Sequence, residues 1–68
     1  MYYYKRLKDA REDAGKSQEE IAQVLGIRRQ QYARYEQGIY EIPVHHLITL
    51  AKYYQVTLDY LVNLTDVK

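Results

Sequence analysis

Cysteine is absent from this chain of 68 residues, so neither a disulfide nor a thiolate metal site can brace it. No stretch approaches the roughly 18 consecutive apolar residues of a membrane span, and the N-terminus lacks the apolar core of a signal peptide. These absences read as a soluble, cytoplasmic protein without a membrane partner. A chain this short buries only about 60% of the surface it exposes when unfolded. Its stability is therefore expected from helix packing, aided by dimerisation. Phenylalanine and tryptophan are missing too, whereas tyrosine occurs 9 times. Tyrosine suits half-buried positions where its hydroxyl meets water or a partner. Tyr2, Tyr3, Tyr40 and Tyr53 are on this reading either interface residues or ordinary surface residues. An excess of one charge is also lacking, since the formal net charge is +1. Bulk charge thus selects no partner, but its distribution is uneven. Arg28, Arg29 and Arg34 lie in residues 28–34 without an intervening acid. Such a patch is either an electrostatic footprint or a solvated helix face.

Strand-like alternation, linkers and repeats are missing as well, and the periodicity predicts one all-α domain over 1–68. Tyr4, Leu7, Arg11 and Ala14 recur at helical spacing, and Gly15 ends that segment. Ser17 and Glu20 form an S-x-x-E capping box ahead of Ile21, Val24 and Leu25, so a second helix starts at about Gln18 and breaks at Gly26. A third runs from about Arg29 to Gln37, with Tyr32 and Tyr35 on its inner face and Gly38 closing it. The loop Ile39 to Ile42 leads to Pro43, which suits the first turn of a helix. Val44, Leu47, Leu50, Ala51 and Tyr54 then mark an apolar stripe. Thr57 is read as the N-cap of a fifth helix, with Asp59 near its positive end and Val56 stapled against Leu61.

The segment SQEEIAQVLGIRRQQYARYEQG, residues 17–38, meets a specific set of demands. Two helices that cross at roughly 90–120° through a short turn need a small residue at closest approach, and Ala22 supplies it. The turn needs a left-handed residue, and Gly26 supplies that. Ile21, Leu25, Ile27, Tyr32 and Tyr35 face the core in the same register. This pattern resembles the helix-turn-helix of the phage-repressor (Cro/cI, or XRE-type) family. RLKDARED is similar to the family's first helix, GKSQEEIAQVLGI to its second helix and turn, and YARYEQG to the end of its recognition helix. IPVHHLITLAKYYQVTLDYL is similar to its fourth and fifth helices.

The resemblance implies a compact five-helix bundle of the lambda-repressor-like type, whose third helix enters the major groove of duplex DNA. Arg29 and Gln30 would then face base edges, with Gln31, Ala33 and Arg34 flanking them. The chemistry agrees: arginine bridges guanine O6 and N7, glutamine bridges adenine N6 and N7, and Ala33 offers a methyl to thymine. Phosphate contacts are expected from Ser17 and Gln18 at the start of the second helix, with Lys16 and Arg28 adding charge. For Gln18 a solvated first-turn glutamine is the alternative, and for Ser17 capping and phosphate binding are compatible. The resemblance also places Gln37 and Tyr40 beside the backbone. It implies that Arg11 and Glu36 form a structural ion pair. Many relatives pair through the fifth helix and the following tail, which nominates Leu58, Tyr60, Leu61 and Leu64 for a homodimer. The alternative is that they only cap the monomer core. A homodimer would bind a roughly palindromic operator and act by default as a repressor.

Three departures stand out. Arg28 occupies a position where the family often has a Ser or Thr cap, which costs about 1 kcal/mol unless Gln31 or a phosphate compensates. Val44 replaces the usual polar cap of helix four. The loop Ile39-Tyr40-Glu41-Ile42 lacks the family's basic residues, and Glu41 would repel phosphate. Nothing suggests an enzyme, a cofactor or a small-molecule ligand. His45 and His46 point about 100° apart on a helix and cannot chelate one metal together. Two other readings stay open on the same fold. One is a protein-interaction module (anti-repressor or adaptor) using its tyrosines, and the other is the antitoxin of a toxin–antitoxin pair.

Overall fold

A computed structural model describes residues 3–68, so Tyr2, one of the tyrosines considered for an interface, lies outside the described residues. These residues form α1 (Lys5–Asp13), α2 (Gln18–Leu25), α3 (Arg29–Gln37), α4 (Val44–Tyr54) and α5 (Leu58–Leu61), with no strand among them. Each helix ends in the same way. The amide two or three residues past the helix returns to a carbonyl in the last turn: Lys16 to Arg11 at 3.1 Å, Ile27 to Ala22 at 3.0 Å, and Ile39 to Arg34 at 3.0 Å. Val56 returns to Ala51 at 2.9 Å and Leu64 to Asp59 at 2.8 Å. This motif requires a left-handed residue just beyond the helix. Gly15, Gly26 and Gly38 provide it after the first three helices, and Gln55 and Asn63 after the last two.

Helix starts are less uniform. Ser17 accepts from the Glu20 amide at 3.1 Å while Glu20 Oε1 accepts from the Ser17 amide at 3.0 Å, so the capping box of α2 is complete. Thr57 likewise accepts from the Tyr60 amide at 3.0 Å and caps α5. Arg28 precedes α3 with an extended backbone and no side-chain cap. Nor does Gln31 compensate, because its amide nitrogen donates to the Tyr35 hydroxyl at 2.8 Å. At α4 the expected boundary needs correction. Pro43 itself is the N-cap and Val44 is the first helical residue, 62% exposed, so Val44 does not belong to the apolar stripe. The stripe consists of Leu47, Leu50 and Ala51, with Tyr54 half-buried beside them.

The core gathers one to three residues from every helix. Leu7 and Ala10 come from α1, Ile21 and Ala22 from α2, Tyr32 and Tyr35 from α3, Leu47, Leu50 and Ala51 from α4, and Leu61 from α5. Ile42 enters the same cluster from the loop before α4. Leu61 was a candidate for a dimer surface; its exposure of 0% places it inside the protomer instead. α1 packs against α3 and α5, and α4 against α2 and α5. The α2–α3 pair, the most extensive contact in the fold, is thereby held from behind.

Candidate nucleic-acid interface

The turn between α2 and α3 is built around Gly26, whose φ of 70° lets the chain change direction within three residues, Gly26 to Arg28. Ala22, fully buried, allows the two helices to approach. Ile27 is half-buried against the core and pins the turn. α3 is divided lengthwise. Tyr32, Tyr35 and Glu36 are buried on one side, while Arg29, Gln30, Gln31, Arg34 and Gln37 are exposed on the other and Ala33 is half-buried. At the far end Gly38 is needed twice over. Its φ is 77°, and a Cβ there would come within 2.9 Å of the Tyr3 Cβ.

A buried polar cluster fixes the roll of α3. Arg11 Nε lies 2.7 Å from Glu36 Oε2 and Arg11 Nη2 lies 3.2 Å from Oε1, a two-point ion pair almost closed to solvent. Arg11 Nη1 also donates to the Lys16 carbonyl at 2.9 Å, and Gln18 Nε2 donates to Glu36 Oε1 at 3.1 Å. Side chains from α1, α2 and α3 thus converge on one carboxylate. Burial works against its charge, but the donors of Arg11 and Gln18, with the Tyr32 hydroxyl nearby, outweigh that and hold Glu36 below the usual glutamate pKa. The Arg11 guanidinium is stabilised in turn, chiefly by the Glu36 hydrogen bond. The Tyr32 phenol is pushed up by burial and then by Glu36. Its hydroxyl feels that charge without reaching hydrogen-bond geometry, since among the described residues neither it nor Tyr54 Oη has a partner.

A family model described as Helix-turn-helix matches residues 7–61 of this sequence. The chain belongs to the helix-turn-helix family. It is 34% identical over 64 residues to the uncharacterized HTH-type transcriptional regulator YobD of Bacillus subtilis, covering 94% of this chain and 57% of that protein. It is 36% identical over 63 residues to the HTH-type transcriptional regulator ImmR of the same organism, covering 93% of this chain and 50% of that protein. In structure it is similar to a transcriptional regulator from Listeria innocua, with a TM-score of 0.79 at 28% identity over 84% of this chain and 53% of the other. The chain spans about half the length of these relatives.

Within this helix-turn-helix domain the sequence-nominated residues fall into distinct surroundings. Among the described residues, Arg28, Arg29 and Arg34 make no salt bridge, in contrast to Arg6 and Arg11. Gln30 is exposed beside them, whereas Gln31 is tethered to Tyr35. Ser17 is exposed with its oxygen engaged in the cap, and Glu20 beside it is held below its usual pKa by the Ser17 amide and then its hydroxyl. Gln18 is half-buried and committed on one side to Glu36. Lys16 is half-buried with its ammonium 4.0 Å from Glu20. Gln37 and Tyr40 are exposed at the other end of α3. Leu58 and Tyr60 are half-buried, and only Leu64 of the nominated dimer residues is freely exposed, at 75%.

Two arrangements escaped the sequence. The Arg34 guanidinium lies over the Tyr40 ring, 5.6 Å from its centroid. Arg6 donates to the Tyr60 carbonyl at 3.1 Å and also to the Thr65 carbonyl and the Asp66 carboxylate, fastening the tail to α1. Neither pair falls at a helical spacing, so periodicity carries no signal for them.

Proposed function

We propose that this chain binds duplex DNA sequence-specifically, entering the major groove with α3 as a homodimer, and regulates transcription as a repressor. The observation that carries the reading is the outer face of α3. Among the described residues Arg29 and Arg34 on α3 and Arg28 at its N-cap make no salt bridge, and with Gln30 they stand opposite a face locked by Tyr32, Tyr35 and the Arg11–Glu36 pair. Unpaired guanidinium and amide edges are the groups that read guanine and adenine, at about 1–3 kcal/mol per good bidentate contact. Arg29, Gln30 and Arg34 read bases, with Ala33 against a thymine methyl and Gln31 in support. Ser17, Gln18, Lys16, Arg28, Gln37 and Tyr40 line the phosphates. Tyr60, Leu58 and the exposed Leu64 supply the surface on which two copies pair.

The reading is tested by selecting bound duplexes from a randomised library and repeating the selection with Arg29→Ala. The expected result is a roughly palindromic consensus with half-sites about 34–36 Å apart, in which Arg29→Ala relaxes one position in each half. No enrichment at low salt would refute it. A protein-contact reading is favoured by the exposure of Ile39, just past α3, and of Val44, at the start of α4. Salt separates the two, because phosphate-dominated binding weakens steeply as salt rises and an apolar protein contact does not.

A further inference from the structure

We propose that Tyr40 is a positioning residue for Arg34: its ring holds the guanidinium in place while leaving the guanidinium's edge free for guanine in the major groove. The proposal rests on the DNA-reading function argued above and names a specificity element that lies outside the recognition helix.

The connection starts in the backbone. After α3 the chain turns through Gly38, and the amides of Ile39 and Tyr40 both point at the Arg34 carbonyl, at 3.0 and 3.5 Å. The main chain of Arg34 thus sets where Tyr40 stands, and the Tyr40 ring returns beneath the Arg34 side chain at 5.6 Å. The distance lies within the range where the negative face of an aromatic ring attracts a cation. Both side chains are exposed, and Tyr40 keeps 48% of its surface in contact with solvent. A free arginine on a helix surface samples many rotamers, and ordering it on a base costs entropy. A carboxylate partner would restrain it too, but would occupy the N–H donors that a base needs. A ring restrains it through its face and leaves the donors available. Glu41 is next in sequence to Tyr40, yet Arg34 makes no salt bridge among the described residues. Among the described residues no carboxylate therefore takes up the Arg34 donors that guanine O6 and N7 require.

The test uses the duplex selected by the wild-type chain and four variants: Tyr40→Phe, Tyr40→Ala, Arg34→Ala and the double substitution Arg34→Ala/Tyr40→Ala. Tyr40→Phe is expected to keep the discrimination of wild type, because the ring face is retained, whatever affinity the loss of its hydroxyl costs at a phosphate. Tyr40→Ala is expected to lose about two- to fivefold in affinity per half-site and to lose discrimination at the base pair that Arg34→Ala also relaxes. In the Arg34→Ala background, Tyr40→Ala should cause no further loss of discrimination. If Tyr40→Ala leaves discrimination at that base pair intact, or if Tyr40→Phe loses it equally, the proposal is overturned and Tyr40 serves only as a phosphate contact. A second readout needs no DNA. The Arg34 δ-protons should show a ring-current shift in the NMR spectrum that persists in Tyr40→Phe and vanishes in Tyr40→Ala. The ring-current shift without selective duplex binding would sink the DNA reading and this proposal with it. Selective binding without the shift would sink the proposal alone.

Discussion

Gln55 holds a left-handed backbone conformation, φ 58° and ψ 45°, because α4 can close only by sending the Val56 amide back to the Ala51 carbonyl. For a residue with a Cβ that conformation costs roughly 1–2 kcal/mol. Glycine adopts it freely, at the expense of about 0.5–1 kcal/mol in unfolded-state entropy. Gln55→Gly should therefore raise stability by about 0.5–1 kcal/mol, the difference of those two effects. In urea the midpoint would rise with an unchanged slope. Asn63, at φ 67°, is the control: asparagine tolerates this region, so Asn63→Gly should change stability less. A loss of stability in Gln55→Gly would mean that the Gln55 side chain contributes more than its backbone costs. The strain itself was illegible in the sequence, where only glycine announces a left-handed helix end.

At the scale of elements, α2 and α3 were the most legible because local chemistry marks both ends of α2 and the end of α3. Ser17 and Glu20 announce one start, and Gly26 and Gly38 announce two stops. The start of α4 was misplaced because proline fits both the first turn and the cap: its φ of −61° suits either. Ile42 was read as loop, although the loop delivers it into the core. Arg28 shows stability and recognition pulling in opposite directions. It sits at the N-cap of α3, where a serine would accept an N-terminal amide and stabilise by about 1 kcal/mol. It also places a cation at the end of the helix proposed to meet DNA. Arg28→Ser should accordingly unfold at higher urea yet bind every duplex more weakly, with a salt dependence reduced by about one phosphate contact. A loss confined to one base pair would instead make Arg28 a reading residue.

Over the whole molecule, stability depends on contacts between residues far apart in sequence. Arg11 and Glu36 are 25 residues apart and Arg6 and Tyr60 are 54 apart. The first pair was legible only through the family resemblance, and the second not at all, since no periodicity links such distances. The Arg11–Glu36 pair and His46 on α4 make the fold sensitive to acid in two stages. His46 is half-buried against His45, with ring centroids 4.2 Å apart, and its pKa is lowered from 6.5 by burial and then by His45. The fold thus favours neutral His46, a contribution complete above pH 6.5 and lost as pH falls through that value toward the folded pKa. Glu36 is lowered from 4.5, so its contribution is complete above that pH and lost as pH falls below it through the folded value. Glu20 in the capping box shifts in the same direction and adds to the lower stage. Urea unfolding followed from neutral pH downward should show stability falling first near pH 6.5 and again below pH 4.5. His46→Gln should remove the upper fall and keep the lower one. If the upper fall survives that substitution, the proton taken up there belongs to another group, and burial of His46 is not what makes the fold sensitive at that pH.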